Sequence, residues 1–271
     1  MLSEKYGSTY TFDALPQGYD SGDHDGFYVT VMNYAENPTG PLTVTSSGSG
    51  TPSDPFKVYN VATLQKVGKG TDGWTLDASY EQVTDIDLSN VTWTPIGDNI
   101  VGSEFIGSYD GNGKTISNLK IDSQSSNYQG LFGYFEDAIV KNVGLVNCDV
   151  KGRDYIGGVV GYNGGTVLNC AALNPNISGS SDVGRVAGIN SSATLTNNYG
   201  RSDMKKGGNL ATWTNIGANA LDGANITLTQ WGSSSWRTGT AKFDSAAWDI
   251  SNGRLPKLRN MPGEAQNPAV K

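Results

Sequence analysis

YQGLFGYFEDAIVKNVGLVNCDVKG, from Tyr128 to Gly152, repeats itself twice further along the chain, as IGGVVGYNGGTVLNCAALNPNISG from Ile156 to Gly179 and as VGRVAGINSSATLTNNYG from Val183 to Gly200. Gly133, Gly161 and Gly188 share one column at spacings of 28 and 27, and Asn142, Asn169 and Asn197 share another at 27 and 28. Apolar columns run between them: Leu131/Val159/Val186, Phe132/Val160/Ala187 and Val140/Val167/Leu195. Val150 aligns with Ile177, and Gly152 with Gly179.

Within each repeat the apolar residues alternate with polar ones. Val146, Cys148 and Val150 do so, as do Val143 and Leu145. A period of two marks half-buried strands. Each repeat therefore supplies two or three short strands joined at Gly/Asn corners. One such coil cannot bury its own apolar face, but stacked coils place equivalent side chains over one another and pair each strand with its copy in the next coil. Helical repeats of similar length need amphipathic runs of about ten residues or more without glycine, and these repeats contain none. The expected fold is all-β: a right-handed parallel β-helix (β-solenoid), with an aromatic-rich C-terminal cap and a short N-terminal strand segment. The asparagine column reads as a ladder of corners, because Asn tolerates left-handed backbone and bonds its own turn.

Working outward, PFKVYNVATLQKV from Pro55 ends in a brief helical pattern, with Val61, Leu64 and Val67 on one face. YEQVTDIDLSNVTWTPIG and FIGSYDGNGKTISNLKID follow as strand-and-turn segments, with Ile116, Leu119 and Ile121 as core residues. TSSGSGTPSDP, from Thr45 to Pro55, has the composition of a linker. FYVTVMNY from Phe27 is a strand candidate whose strands pair with a segment outside this chain or pack on the first coil. After residue 200 the repeat fades, although TWTNIG at 212–217 echoes VTWTPIG at 91–97. Ile226, Leu228, Trp231, Trp236, Phe243, Trp248, Leu255 and Leu258 then suit a cover for the open end that every solenoid leaves. This divides the chain into an N-terminal β segment and linker (1–50), the solenoid (51–200) and a last coil with cap (201–271).

Composition agrees with this reading. Of 271 residues 36 are glycine, well above the usual ~7%. The net charge of −7 is uneven, with residues 1–50 carrying −5 and residues 200–271 carrying +4. No basic stripe interleaved with aromatics appears, which argues against a nucleic-acid partner. No stretch approaches the roughly 20 apolar residues of a membrane span, so no membrane insertion is expected in this segment. The N-terminus, MLSEKYGSTYTF, lacks the pattern of a secretory signal, and the chain reads as a portion of something longer.

The order GLFG (130–133), GGVVG (157–161) and GRVAG (184–188), each followed by an Asn-containing strand, resembles the GLUG motif of bacterial surface proteins. The DIDL-then-WTPIG stretch, YDGNGKTISNL and the closing WDISNGRLPKL are similar to that family's flanking segments, and the set covers about residues 55–260. The third repeat departs from the pattern, with Arg185 in the Gly130/Gly158 column and Ala187 in a large-apolar column. The resemblance implies extracellular display on the cell surface, as part of a longer exported protein. It implies an adhesin-like role toward a host or bacterial surface protein or a glycan, and it supplies no functional residues.

Chemistry is sparse. GSYDGNGKT (107–115) misses the phosphate-loop spacing by one residue and runs into a strand, so it reads as a turn. His24, the only histidine, sits between Asp23 and Asp25 in an acidic loop. One imidazole outside the solenoid argues against Ser-His-Asp or Cys-His catalysis. Cys148 and Cys170 fall in adjacent coils but different columns and are expected as buried free thiols, with a disulfide as the alternative. The main alternative is a glycan-active β-helix enzyme, a polysaccharide lyase or hydrolase. It requires paired carboxylates, or an acid-bound Ca²⁺ with a basic residue nearby. Asp85, Asp87, Asp110, Asp122, Asp149 and Asp154 are available, yet Asp149 aligns with Asn176 and Asp154 with Ser181, so no carboxylate column survives. A pure structural spacer is the third alternative. Tyr109, Tyr155 and Tyr162 read as exposed rings suited to sugars, without an aromatic stripe at the repeat period. The expectation is thus a binding or display module with no catalytic residues, no metal site, no cofactor and no located binding site.

Overall fold

In the computed structural model, residues 48–232 are described in full, together with the backbone of four short strands: Phe27–Tyr28, Thr45–Ser46, Trp248–Asp249 and Lys257–Leu258. Two compact units divide between Ser47 and Gly48. In the first, Phe27–Tyr28 pairs antiparallel with Thr45–Ser46. His24 and its flanking aspartates lie outside the described residues, as do Trp236, Phe243 and Leu255.

The second unit is a parallel β-solenoid. Its first sheet stacks Phe56–Val58, Ser79–Gln82, Ser108–Asp110, Phe132–Lys141, Val160–Leu168 and Ala187–Asn190, with Thr194–Thr196 also beside Val160–Leu168. The second stacks Ile86–Asp87, Thr115–Ser117, Gly144–Val146, Ala171–Leu173, Tyr199–Arg201 and Ala224–Ile226, one strand per coil. The third stacks Lys120–Asp122, Asp149–Lys151, Asn176–Ser178 and Lys205–Lys206. Every ladder between these strands is parallel.

The register is the one the repeat predicts. Phe132 pairs with Val160 and Val160 with Ala187, while Val140 pairs with Val167 and Val167 with Leu195. The second column extends upstream through Tyr109 and Tyr80 to Phe56. In the second sheet Ile86, Ile116, Leu145 and Ala172 form an inner file, and in the third Ile121, Val150 and Ile177 do the same. All of these residues are buried. Burying each larger apolar side chain contributes about 1.5–3 kcal/mol, which is how a fold with few local contacts holds together.

Glycines in the 133/161/188 column serve close approach rather than unusual backbone. None has positive φ, but a Cβ on Gly161 would lie 2.6 Å from Tyr128 Cα, and one on Gly188 would lie 2.6 Å from the Tyr155 carbonyl carbon. Among the described residues, six of the twelve non-glycine residues with left-handed backbone are asparagines. Asn142, Asn169 and Asn197 have φ of 58°, 54° and 52°. Their amides form a ladder in which Asn197 Nδ2 donates to Asn169 Oδ1 (2.8 Å), Asn169 to Asn142 (3.2 Å) and Asn142 to Asp110 (2.9 Å). A second ladder, Asn147 to Asn118 to Asp87, occupies the corner after the second sheet, with bonds of 2.6 and 2.7 Å.

Arg185 does not disrupt its coil, because a neighbouring column shrinks to receive it. The inner file of the second sheet narrows to Ala172 and then Gly200, and the buried guanidinium fills the space. It donates to the carbonyls of Gly200, Arg201 and Gly223 at 2.9–3.1 Å and lies 5.7 Å from the Trp213 ring centre. Burial lowers its pKa, and the nearby Asp222 carboxylate opposes that shift.

The two ends differ. At the start, the helix Val61–Lys66 is closed by a capping box between Asn60 and Thr63, and Leu64 and Val67 join the core. From Gly48 the Ser/Gly/Pro stretch is folded rather than a free linker: Gly50 O accepts the Ser79 N–H at 2.7 Å. At the far end, Lys205–Lys206 turns back through Gly207 and Gly208 onto Asn209–Leu210, so an antiparallel hairpin terminates the third sheet. The short helix Leu228–Trp231 brings Trp231 onto the outer side of the second sheet, against Ala171, Leu173, Tyr199 and Ile226. A Cβ on Gly144 would lie 3.3 Å from that indole. Trp213 and Trp231 are the buried aromatics of this cap among the described residues.

Candidate functional site

The residues that the sequence offered for catalysis are engaged in holding the coils together. Asp85 accepts the backbone and hydroxyl of Thr115, and Asp87 accepts from Asn118. Asp110 accepts from Asn142 and pairs with Lys141, and Lys151 lies between Asp122 and Asp149. Asn176 donates to Asp149, and Asp154 takes Ser181 and Arg153. The Asn118 amide holds the Asp87 carboxyl below its usual range. Among the described residues no group of three His, Cys, Asp or Glu is placed to hold a metal. Within 107–115, residues 111–114 turn between the strands Ser108–Asp110 and Thr115–Ser117, with Asn112 and Gly113 left-handed and Lys114 buried. Cys148 and Cys170 are free and buried.

The rings depart from the sequence expectation: Tyr155 and Tyr162 are half-buried rather than exposed. Tyr109 is 0% exposed, because it is the inward residue of its three-residue strand and stacks between Tyr80 and Val140. An aromatic stripe at the repeat period does exist. Tyr128 and Tyr155 occupy one corner in successive coils, and Tyr134 and Tyr162 occupy adjacent outward positions of the first sheet, in direct register.

The glycine column brings these four rings together. Each of Gly133 and Gly161 presses its strand against the Tyr128 corner, and the residue that follows it is Tyr134 or Tyr162. Both corner tyrosines are left-handed, with φ of 57° and 62°, a costly conformation for a bulky residue. The corner is held by Tyr128 N–H to Asp154 O (2.9 Å) and Gln129 N–H to Tyr155 O (3.2 Å). Tyr134 and Tyr162 stack with centroids 4.2 Å apart and planes at 6°, and Tyr128 and Tyr155 stack at 5.0 Å and 7°. The two stacks meet edge to face, with Tyr128 at 84° to Tyr134 and 79° to Tyr162. In the next coil the columns hold Asp182 and Ile189, and the cluster ends.

A loop extends this surface. Ile96 bridges to Phe132 and Phe105 to Phe135, and the chain between them projects outward. Its Asn99 amide donates to Tyr128 Oη at 2.7 Å. Its tip carries Ile100 and Val101, 61% and 97% exposed. On the other side, Tyr134 Oη donates to Glu136 Oε1 at 2.8 Å. Desolvation, followed by that carboxylate, raises the Tyr134 pKa. Asp154 and Arg153 border the corner as an ion pair at 3.0 Å. The arrangement offers ring edges, hydroxyls and an aliphatic tip on a rigid support. It is suited to binding.

No family model matches the chain. Halomucin of Haloquadratum walsbyi is 34% identical over 142 residues, covering 48% of this chain and 2% of that protein. A Gly-rich membrane protein of Evansella cellulosilytica is 34% identical over 113 residues, covering 38% of this chain and 12% of that protein. The chain thus spans a small fraction of both relatives. Among solved structures, a Bacteroides ovatus protein described as an immunoglobulin A1 protease aligns with 79% of this chain and 95% of its own, at 15% identity and a TM-score of 0.32. The solenoid assignment rests on the strand register above.

Proposed function

We propose that this chain is an adhesin-like binding and display module of an extracellular, cell-surface protein, with the tyrosine corner and the 98–104 loop as its contact surface. The observation that carries the reading is the cluster itself. Four half-buried rings and two exposed aliphatic residues gather on one corner of the stack, away from the aspartates that bond between its coils. Exposed apolar surface rimmed by polar groups is the usual mark of a contact site. The resemblance to small portions of two larger proteins, one of them named as a membrane protein, supports a module within a longer chain. Among the described residues no helix is long and apolar enough to cross a membrane.

Binding of the purified chain to glycan and surface-protein arrays, with and without Ca²⁺, tests this reading. Saturable binding that is lost when Tyr134 and Tyr162 become Ala is expected. Metal-dependent product release from a polysaccharide favours the glycan-active enzyme instead, and absence of any saturable binding favours a spacer.

A further inference from the structure

We infer that the tyrosine corner recognises a short, extended, cationic peptide segment in which Lys or Arg alternates with aliphatic residues. This rests on the binding-module reading and specifies its ligand class. Three observations select that ligand. The first is the ring geometry: in both stacks the facing ring surfaces are occupied by each other, at 4.2 and 5.0 Å. Sugars are gripped mainly through their flat CH faces against open aromatic faces, and few such faces remain here.

The second is charge. Asp98, Glu104, Glu136, Asp137, Asp154 and Asp182 border the cluster in the chain, with Arg153 the one basic residue at the corner, already paired with Asp154. Glu136 is bonded directly to Tyr134. Carboxylates that border the cluster attract cations through Coulomb interaction, while neutral glycans gain little and acidic ones are repelled. The third is the Ile100–Val101 tip. Aliphatic surface that is 61% and 97% exposed is matched by aliphatic side chains. The ladder sets the members of each pair about 4.8 Å apart, and ring-centre distances of 5.4 and 6.3 Å separate Tyr128 from Tyr134 and Tyr162, distances that a short extended segment spans.

Fluorescence anisotropy with a labelled octapeptide alternating Lys and Val, its Glu/Val counterpart, and calorimetry with a neutral hexasaccharide test the inference. The Lys/Val peptide is expected to saturate, with affinity falling about tenfold or more in the double variant Ile100→Ser/Val101→Ser and in Glu136→Gln. Asp122→Asn, on the third sheet, is expected to leave it unchanged. Affinity is also expected to drop as salt rises from about 0.1 to about 1 M. Binding that is equal in all variants, or preference for the Glu/Val peptide, overturns the inference. Hexasaccharide binding lost in the same variants, with the Lys/Val peptide silent, overturns the cationic ligand and leaves the binding-module reading standing. Silence of every probe here and on the arrays removes both.

Discussion

Gly200 makes the room that Arg185 fills. A Cβ on Gly200 would sit 2.6 Å from Arg185 Nε, and Arg185 Nη1 donates to the Gly200 carbonyl at 3.0 Å. The sequence departure at Arg185 is therefore compensated one file away. Gly200→Ala is expected to destabilise the chain by about 1–3 kcal/mol through overpacking. Arg185→Gly restores the column glycine but strips three carbonyls, two of them in buried hydrogen bonds, of their donor, and is expected to cost about 3 kcal/mol or more. Urea denaturation of both variants checks this. A neutral Arg185→Gly contradicts the structural role.

The glycine column makes a separable prediction. Gly161→Ala forces a Cβ between Tyr128 Cα at 2.6 Å and Gly133 O at 2.7 Å, backbone that cannot move without shifting the corner. A loss of about 3 kcal/mol is expected. Gly217, also without positive φ, would meet only Ala220 Cβ at 3.6 Å, and Gly217→Ala is expected to fall within about 0.5 kcal/mol of the parent. Thermal melts of the pair distinguish close approach from a general intolerance of substitution.

Breaking the asparagine ladder separates hydrogen bonding from backbone strain. Asn169 bonds to both neighbours, Asn142 and Asn197, at a φ of 54°. Asn169→Ala loses two hydrogen bonds and leaves an alanine in left-handed backbone, an expected cost of about 2–4 kcal/mol. Asn169→Gly loses the bonds alone and is expected to recover about 1 kcal/mol of that. Equal costs for Ala and Gly contradict the strained corner.

These cases mark what was legible in the sequence. The 27–28-residue period, the apolar columns and the Asn corners follow from spacing alone, because stacking turns a repeat directly into register. Early coils were legible only as strand and turn, since Tyr80, Tyr109 and Phe105 keep the inward polarity of the repeat without its glycines. The tyrosine stripe was present in the spacings of Tyr128 to Tyr155 and Tyr134 to Tyr162, but Asp182 and Ile189 end it after two coils. That Gly133, Gly161 and Gly188 exist to admit a tyrosine corner depends on backbone distances across coils, which no single repeat encodes. The partner of Arg185 lies 15 residues away in a different file, outside the repeat's own logic.

The buried thiols predict alkaline sensitivity. Desolvation pushes Cys148 and Cys170 from 9.0 up to about 12, and burial raises Tyr80 and Tyr109 from 10.0 in the same direction. Only the unfolded chain ionises these groups in that interval, so their contribution is intact below pH 9 and is lost as pH climbs toward 12. Denaturant midpoints are expected to hold from neutrality to about pH 8.5 and fall above it. Native protein is expected to resist a thiol reagent that labels both cysteines once unfolded. Labelling of the folded chain at the rate of free cysteine contradicts their burial.

Disulfide trapping across adjacent coils tests the stacking itself. Lys151 and Ser178 are register partners in the third sheet, about 4.8 Å apart at Cα, within the span a disulfide bridges. The double variant Lys151→Cys/Ser178→Cys is expected to close on mild oxidation. Lys151→Cys/Asn176→Cys, displaced by two residues along the strand to about 8 Å, is expected to stay reduced. Closure of the displaced pair in preference to the registered one, or of neither, contradicts the solenoid.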